Sequence, residues 1–248
     1  MKVALIGDVH ANLPALEAVM AHAQEQGVEA IWNVGDFVGY GPFPNEVVKR
    51  LKKEESVVSI IGNYDRRVLK FKDKKKKWRK KKRREKYLAF KYAYKNLSKK
   101  SRKYLRFLSR EVRMKAKGRR ILLTHGSPES DKEHLTPDTP EERLRELANK
   151  AKADVIVCGH SHQPFARQVD DVWFINTGSV GRPDDGDPRA CYAILEISAE
   201  DIVVQHYRIE YDVEKTVTAI RETKLPEVFT EIFIQGRSLD AVLETTQE

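Results

Sequence analysis

The chain has 248 residues, of which 40% are hydrophobic and 33% charged, with a formal net charge of +9. That length accommodates one sizeable α/β core with an embellishment. No apolar run approaches the ~18 residues a helix needs to span a bilayer, so no membrane-spanning helix is expected. The charge is uneven: residues 70–120 hold 26 Lys and Arg against three Asp and Glu, so an acidic body carries one basic module.

In chain order, Lys2 to Ile6 reads as a strand that runs through Gly7 into Asp8-Val9-His10. Leu13 to Met20 opens a helix with Leu13, Leu16, Val19 and Met20 on one face and Pro14 in its first turn. Asn12 stands where an N-cap belongs. A second strand, Ile31 to Gly35, delivers Asp36, and the glycine-rich loop Phe37 to Pro42 follows with Tyr40 in it. That tyrosine reads either as packing or as a base-stacking wall. Asn45 to Leu51 is a helix with Val47, Val48 and Leu51 inward. Val57 to Ile61 is a third strand, ending in Gly62-Asn63-Tyr64-Asp65.

Residues 70–118 read as a lysine-rich helical insert, a cap over or beside the functional edge. Lys74 to Arg84 is almost wholly Lys and Arg, and like charges at helical spacing repel, which predicts a disordered or mobile arm. Glu85 to Leu97 and Ser101 to Leu108 carry amphipathic helical patterns rich in tyrosine and leucine. Ile121 to Thr124 re-enters the core and ends at His125. Glu141 to Ala151 is a helix, and Val155 to Cys158 a strand ending in Gly159-His160-Ser161-His162. Phe165 to Val169 and Val172 to Ile175 form a hairpin around Asp170-Asp171. A glycine-rich turn, Asn176 to Gly181, precedes long antiparallel strands over Ala190 to Ile197 and Ile202 to Tyr211. A helix at Asp212 to Lys224 and a helical tail close the chain. His22, His134 and His206 carry no assigned role. Residues 1–248 read as a single domain. Cys158 and Cys191 lie in apolar runs and read as buried free thiols. With a strand starting at Lys2, no leader is expected, and the protein is expected to be soluble and cytoplasmic.

Five apolar runs therefore each end in Asp, Asn or His. Parallel strands would bring these ends to one sheet edge, where α/β proteins bind ligands. Carboxylate plus imidazole, without clustered thiolates, suits Mn, Fe, Zn or Ni ions. Seven such side chains exceed one tetrahedral site and suffice for two ions sharing a carboxylate, the usual arrangement for displacement at phosphorus.

The series Asp8-x-His10, Gly35-Asp36, Gly62-Asn63-Tyr64-Asp65, His125 and Gly159-His160-Ser161-His162 resembles the calcineurin-like metallophosphoesterases, closest to their small bacterial and archaeal phosphodiesterase branch. The resemblance runs from Met1 to about Tyr211 apart from the insert. It implies a two-sheet αββα sandwich with an inserted basic helical cap. It also implies two divalent transition-metal ions, Mn first: one on Asp8, His10, Asp36 and His162, the other on Asp36, Asn63, His125 and His160, with Asp36 bridging. One departure stands out. The family usually has histidine where this chain has Tyr64, and that histidine serves the leaving oxygen, oriented by the acid after it.

The expected activity is hydrolysis of phosphate esters, most of all diesters, by ion-activated water. Asp36, Asn63, Tyr64 and Asp65 are the catalytic set, with Asp65 orienting Tyr64 or Arg66. Asn12, Tyr40 and Arg66 are substrate-side candidates, each with a structural alternative: cap, packing and surface charge respectively. Tyrosine is a weaker acid than imidazolium and carries no positive charge, so esters with good leaving groups are favoured. The substrate would be a small phosphate ester or a nucleotide, with nucleic acid within reach through the basic insert. A catalytically weak scaffold, like the retromer subunit of this fold, is the reading from another class.

Overall fold

The computed structural model describes residues 1–245, so the last three residues of the expected 1–248 unit lie outside it. The first sheet starts with parallel strands β1 (Lys2–Ile6), β2 (Ala30–Asn33) and β3 (Val57–Ser59). Helices α1 (Leu13–Glu25) and α2 (Pro44–Lys53) provide the crossovers that parallel neighbours require. Between β3 and the second sheet come α3 (Asn63–Leu69), α4 (Phe71–Lys81), α5 (Arg84–Asn96) and α6 (Lys99–Phe107).

The second sheet contains β4 (Glu111–Ala116), β5 (Arg119–Thr124), β6 (Val155–Cys158), β7 (Phe165–Val169) and β8 (Val172–Asn176), with α7 (Glu141–Ala151) between β5 and β6. Its order is β4-β5-β6-β8-β7, with β5, β6 and β8 parallel. Then β9 (Ala190–Ile197) returns antiparallel to β1, and β10 (Ile202–Ile209) pairs with β9. Helices α8 (Val213–Arg221), α9 (Phe229–Gln235) and α10 (Leu239–Thr245) end the described chain.

Strand alternation sorts the core into layers. Val3, Leu5 and Trp32 meet Ile121, Leu123, Val155, Val157 and Ile175 between the two sheets. Ala4, Ile6 and Ile31 turn the other way, onto Leu16 and Val19 of α1 and Val47, Val48 and Leu51 of α2. Leu122, Ile156 and Phe174 turn onto Leu144 and Leu147 of α7. The result is the helix–sheet–sheet–helix sandwich expected from the sequence. Cys158 and Cys191 are buried and free. Among the described residues no helix is long and apolar enough to cross a membrane.

The insert departs from expectation in two ways. The lysine run is helical, because Phe71 and Trp78 lie seven residues apart on one face of α4 and pack against each other. Phe71 also packs on Tyr87 and Tyr94, and Trp78 on Phe90. Two aromatic anchors outweigh the weak repulsion between solvated lysines, whose charged ends reach away from the contact. The helical part also stops earlier than residue 118. Glu111 to Ala116 is an edge strand, and Ile61 N–H donates to the Ser109 carbonyl at 2.9 Å. The tail packs on the cap: Phe229 and Phe233 of α9 share a cluster with Ala89 of α5 and with Tyr40.

Candidate metal centre

The carboxyl ends of β1, β2 and β3 meet those of β5 and β6 across the sandwich. The ligand candidates therefore come from facing edges of two sheets, a correction to the single edge expected. Backbone bonds tie the loops together. Asp8 N–H donates to Gly35 O at 2.9 Å, His10 N–H to Asp36 O at 3.0 Å, Gly159 N–H to His125 O at 2.9 Å and Gly181 N–H to Asp8 O at 3.1 Å. Asp8, His10, Asp36, His160 and His162 all have positive φ, between 47° and 66°. Non-glycine residues rarely adopt that conformation, and strain of this kind clusters at functional sites. Two glycines permit the close approach: a Cβ on Gly62 would collide with the Asp36 carboxylate, and one on Gly159 would lie 2.5 Å from Asp8 Oδ2.

Four side chains are fully buried here: Asp8, His10, Asp36 and His125, with His162 nearly so. Asp8 Oδ1 lies 3.3 Å from His162 Nε2 and 3.7 Å from His10 Nε2. Asp36 Oδ2 lies 3.4 Å from His125 Nε2 and 3.9 Å from His10 Nε2, between histidines of the two expected ion sites. His162 Nδ1 donates to Arg182 O at 2.7 Å and His125 Nδ1 to Val34 O at 2.8 Å. A carbonyl can only accept, so in each ring Nδ1 carries a proton and Nε2 is the atom turned toward the carboxylates. Burial lowers the His125 pKa, but Asp36 beside it outweighs burial and holds it at about 9, so without an ion Nε2 also carries a proton, which a bound cation would displace. Burial raises the Asp8 carboxyl, and His162 and His125 bring it down to about 2.

Asp8 Oδ1, Asp36 Oδ2, Asn63 Oδ1 and His125 Nε2 are buried without a hydrogen-bond partner among the described residues. Converging buried carboxylate and amide oxygens left without such partners are costly, and a divalent cation answers them together, with Nε2 joining once its proton is displaced. Among the described residues two groupings could hold an ion: Asp8, His10 and His162, and Asp8, Asp36 and His125. The donor set fits the ions that the sequence implied. Asn63 and His160 stand beside these groupings, the Asn63 amide 2.8 Å from His160 Nδ1. Asn63 is buried and His160 half-buried, with its backbone N–H on Asp8 Oδ2 at 2.9 Å.

The other candidates are placed less uniformly. Tyr64 is partly buried, its N–H donating to Asp36 Oδ1 at 2.7 Å and its hydroxyl 2.8 Å from that of Tyr40. Its ring packs on Phe90 and meets the His10 ring edge-on, and burial holds its phenol well above the ordinary range. Asp65 orients neither Tyr64 nor Arg66. Its oxygens accept the N–H groups of Val38 at 3.1 Å and Gly62 at 3.0 Å, so it fastens α3 to the loop after β2. Asn12 is fully buried and caps α1 through Ala15 N–H, with further bonds to Gly181 O and Thr216 Oγ1. Its polar atoms are thus engaged inside the fold. Arg66 is ion-paired to Asp131.

A cavity of about 480 Å³ opens above Asp36, His160 and His162, walled by Tyr40, Tyr64, Arg67, His134, Arg182 and Asp184. Arg67 lies on this wall where Arg66 does not. Helical phase from Tyr64 would have selected it, since i+3 shares a face and i+2 does not. His134, expected at the surface, is exposed but its ring meets that of His160 at a tilt, with centroids 4.4 Å apart. His206, also unassigned, donates to or accepts from no metal candidate; its Nε2 bonds Asn176 O at 2.7 Å. Arg182 directly follows the glycine-rich turn, and that adjacency was the signal that could have found it.

A model of the calcineurin-like phosphoesterase superfamily domain matches residues 1–200. An uncharacterized protein of Methanocaldococcus jannaschii is 31% identical over 95% of this chain and 98% of its own length. The phosphodiesterase YfcE of Escherichia coli is 26% identical over 79% of this chain and 88% of its own. Among solved structures, a metallophosphoesterase from Sphaerobacter thermophilus has a TM-score of 0.79 at 29% identity, covering 95% of this chain and 99% of that one.

Proposed function

This chain belongs to the calcineurin-like phosphoesterase superfamily, and from that premise we propose that it is a two-metal hydrolase of phosphodiesters, with Mn as the working ion. The observation that carries the reading is the set of buried oxygens on Asp8, Asp36 and Asn63 without hydrogen-bond partners among the described residues, gathered with His125 Nε2 beneath an open cavity. Asp8, His10, Asp36 and His162 would hold one ion and Asp36, Asn63, His125 and His160 the other. Ions bound there supply a lowered pKa for attacking water and charge stabilisation for phosphoryl oxygens.

The chain's own residues do the rest. Val34 O and Arg182 O fix the tautomers of His125 and His162 so that Nε2 faces inward. Asp65 holds the loop after β2 against α3, and so sets Asp36 against Tyr64 N–H. Tyr64 O–H, held by Tyr40, is a neutral donor for a leaving oxygen. With its phenol pushed up by burial it gives up a proton reluctantly, which favours esters whose leaving group needs little protonation. The similarity to YfcE supports diesters over monoesters. We place residues 1–248 in one domain of a reducing, cytoplasmic compartment, in keeping with two free buried cysteines.

The test compares kcat/KM of Mn-loaded protein on bis-aryl and mono-aryl phosphates with the same leaving group. A higher value for the diester is expected. A clear monoester preference overturns the diesterase reading, and no activity with Mn, Fe, Zn or Ni moves the chain to the scaffold reading. A second diester class, nucleic acid, is favoured by one observation: the lysines of α4 are exposed, and Lys86 of the adjoining α5 stands on the cavity wall.

A further inference from the structure

The wall of the cavity holds a buried cation that lies outside the five ligand motifs. Arg182 is 9% exposed, and its guanidinium lies over the Tyr40 ring with Cζ 4.6 Å from the centroid. Its one carboxylate partner among the described residues is Asp184, at 3.4 Å from Nη2. The same Nη2 is 3.2 Å from His162 Nδ1, but that nitrogen already donates to the Arg182 carbonyl and has no lone pair to offer. Nε is buried and has no hydrogen-bond partner among the described residues. A guanidinium has five N–H donors in a planar fork. Here one long contact to a single carboxylate serves them, so the group is short of acceptors beside a cavity.

A phosphoryl group offers acceptor oxygens in a geometry that matches the fork, and the pairing is charge-assisted. The neighbourhood adds a reason. Position 64, where the family places a histidine, is a tyrosine that carries no charge, and its hydroxyl is bonded to Tyr40, the ring on which Arg182 lies. Positive charge missing at position 64 is thus present one side chain away.

We propose that Arg182 binds the phosphoryl group of the substrate, completing its guanidinium with one or two phosphoryl oxygens and supplying the cation that Tyr64 does not. The proposal rests on the hydrolase reading for its catalytic consequence, but its binding consequence stands independently. Arg182 is held for this by Ser179 Oγ, which accepts its N–H at 2.9 Å, and by the turn that fastens to the first strand.

The experiment titrates inorganic phosphate into metal-free and Mn-loaded protein by calorimetry, for the parent and for Arg182→Gln. Arg182→Met serves as a second variant that keeps the apolar stem over Tyr40 if the first fails to fold. Removing the charge should weaken phosphate binding at least about tenfold in both forms. It should lower kcat/KM on nitrophenyl diesters by about 10²–10³-fold, the usual scale for one preorganised donor. Bound Mn should stay unchanged, because His162 is held by the backbone carbonyl of residue 182 and not by its side chain.

Phosphate affinity within twofold of the parent overturns the proposal. A fall in Mn content also overturns it, by showing that the side chain acts through the metal centre. If the parent hydrolyses nothing while the variants lose phosphate, the binding role stands and the hydrolase reading fails. If the parent is active and the variants match it, the reverse holds.

Discussion

Replacing Asp36 by asparagine separates the metal centre from the fold that builds it. Asp36 Oδ1 accepts Tyr64 N–H at 2.7 Å, a bond an asparagine Oδ1 retains. Oδ2 has no hydrogen-bond partner among the described residues and faces His125 and His10. Asp36→Asn puts an amide nitrogen there, which cannot ligate a cation. An ion present at 100 times its Kd stabilises the native state by about 2.7 kcal/mol. Unfolding entropy of about 2.1 cal/mol/K per residue amounts to about 0.5 kcal/mol/K for a chain of this length. One ion should therefore raise the melting midpoint by about 5 °C, and two by about 10 °C. The assay is differential scanning calorimetry with and without Mn, paired with metal analysis. The parent should bind close to two ions per chain and gain the full shift, while Asp36→Asn should lose occupancy at both sites and gain little. The reasoning is refuted by a parent that neither binds Mn nor shifts, or by a variant that shifts as far as the parent.

Tyr64→His should raise activity on esters with basic leaving groups while leaving nitrophenyl esters near neutral, since imidazolium gives up a proton more readily than a buried phenol; equal mutant-to-parent ratios for both substrates would sink it. Phe90→Ala removes a fully buried ring that touches both Tyr64 and Trp78, so it should cost about 3–5 kcal/mol, and the whole chain should still melt in one transition; two transitions would show the cap to be a separate unit. His206 is half-buried on β10, and that desolvation depresses its pKa, so the native state prefers the neutral ring. Its contribution to stability is present above an unfolded pKa near 6.5 and is lost as pH falls toward the lower folded value. His206→Gln should flatten the decline in melting midpoint below about pH 6.5, and an unchanged slope would discard this assignment.

The candidate centre was legible because each strand that feeds it is a short apolar run followed at once by Asp, Asn or His. Which sheet each strand joins was not legible. Val3 and Val155 carry the same local signal, and only pairing over long separations puts β1 with β9 and β6 with β8. The lysine run shows a local rule overridden. Repulsion among Lys74 to Lys77 is visible in sequence, whereas the seat of Phe71 and Trp78 on α5 is a tertiary fact. Asp65 was misread for a similar reason. Its partner Val38 is 27 residues away, and nothing local says that the two loops cross.

The tyrosine at position 64 changes more than leaving-group chemistry. It joins Tyr40, Phe90 and Phe229 in one aromatic wall, with centroid separations of 5.2–5.4 Å from ring to ring. Phe90 belongs to α5 and Phe229 to α9, so the wall fastens both the cap and the C-terminal helices to the rim of the metal centre. Aromatic contacts of this kind add stabilisation beyond the area they bury, and a histidine at position 64 would present a smaller ring to them. The cap is therefore held by the same side chain that replaces the family's acid. That attachment sets Lys86 of α5 on the cavity wall, where it is paired with Asp240 of α10. A basic insert packed this way is not merely a solvated face. Its outer helix α4 keeps its lysines in water, but its inner helix α5 helps to shape the space above Asp36.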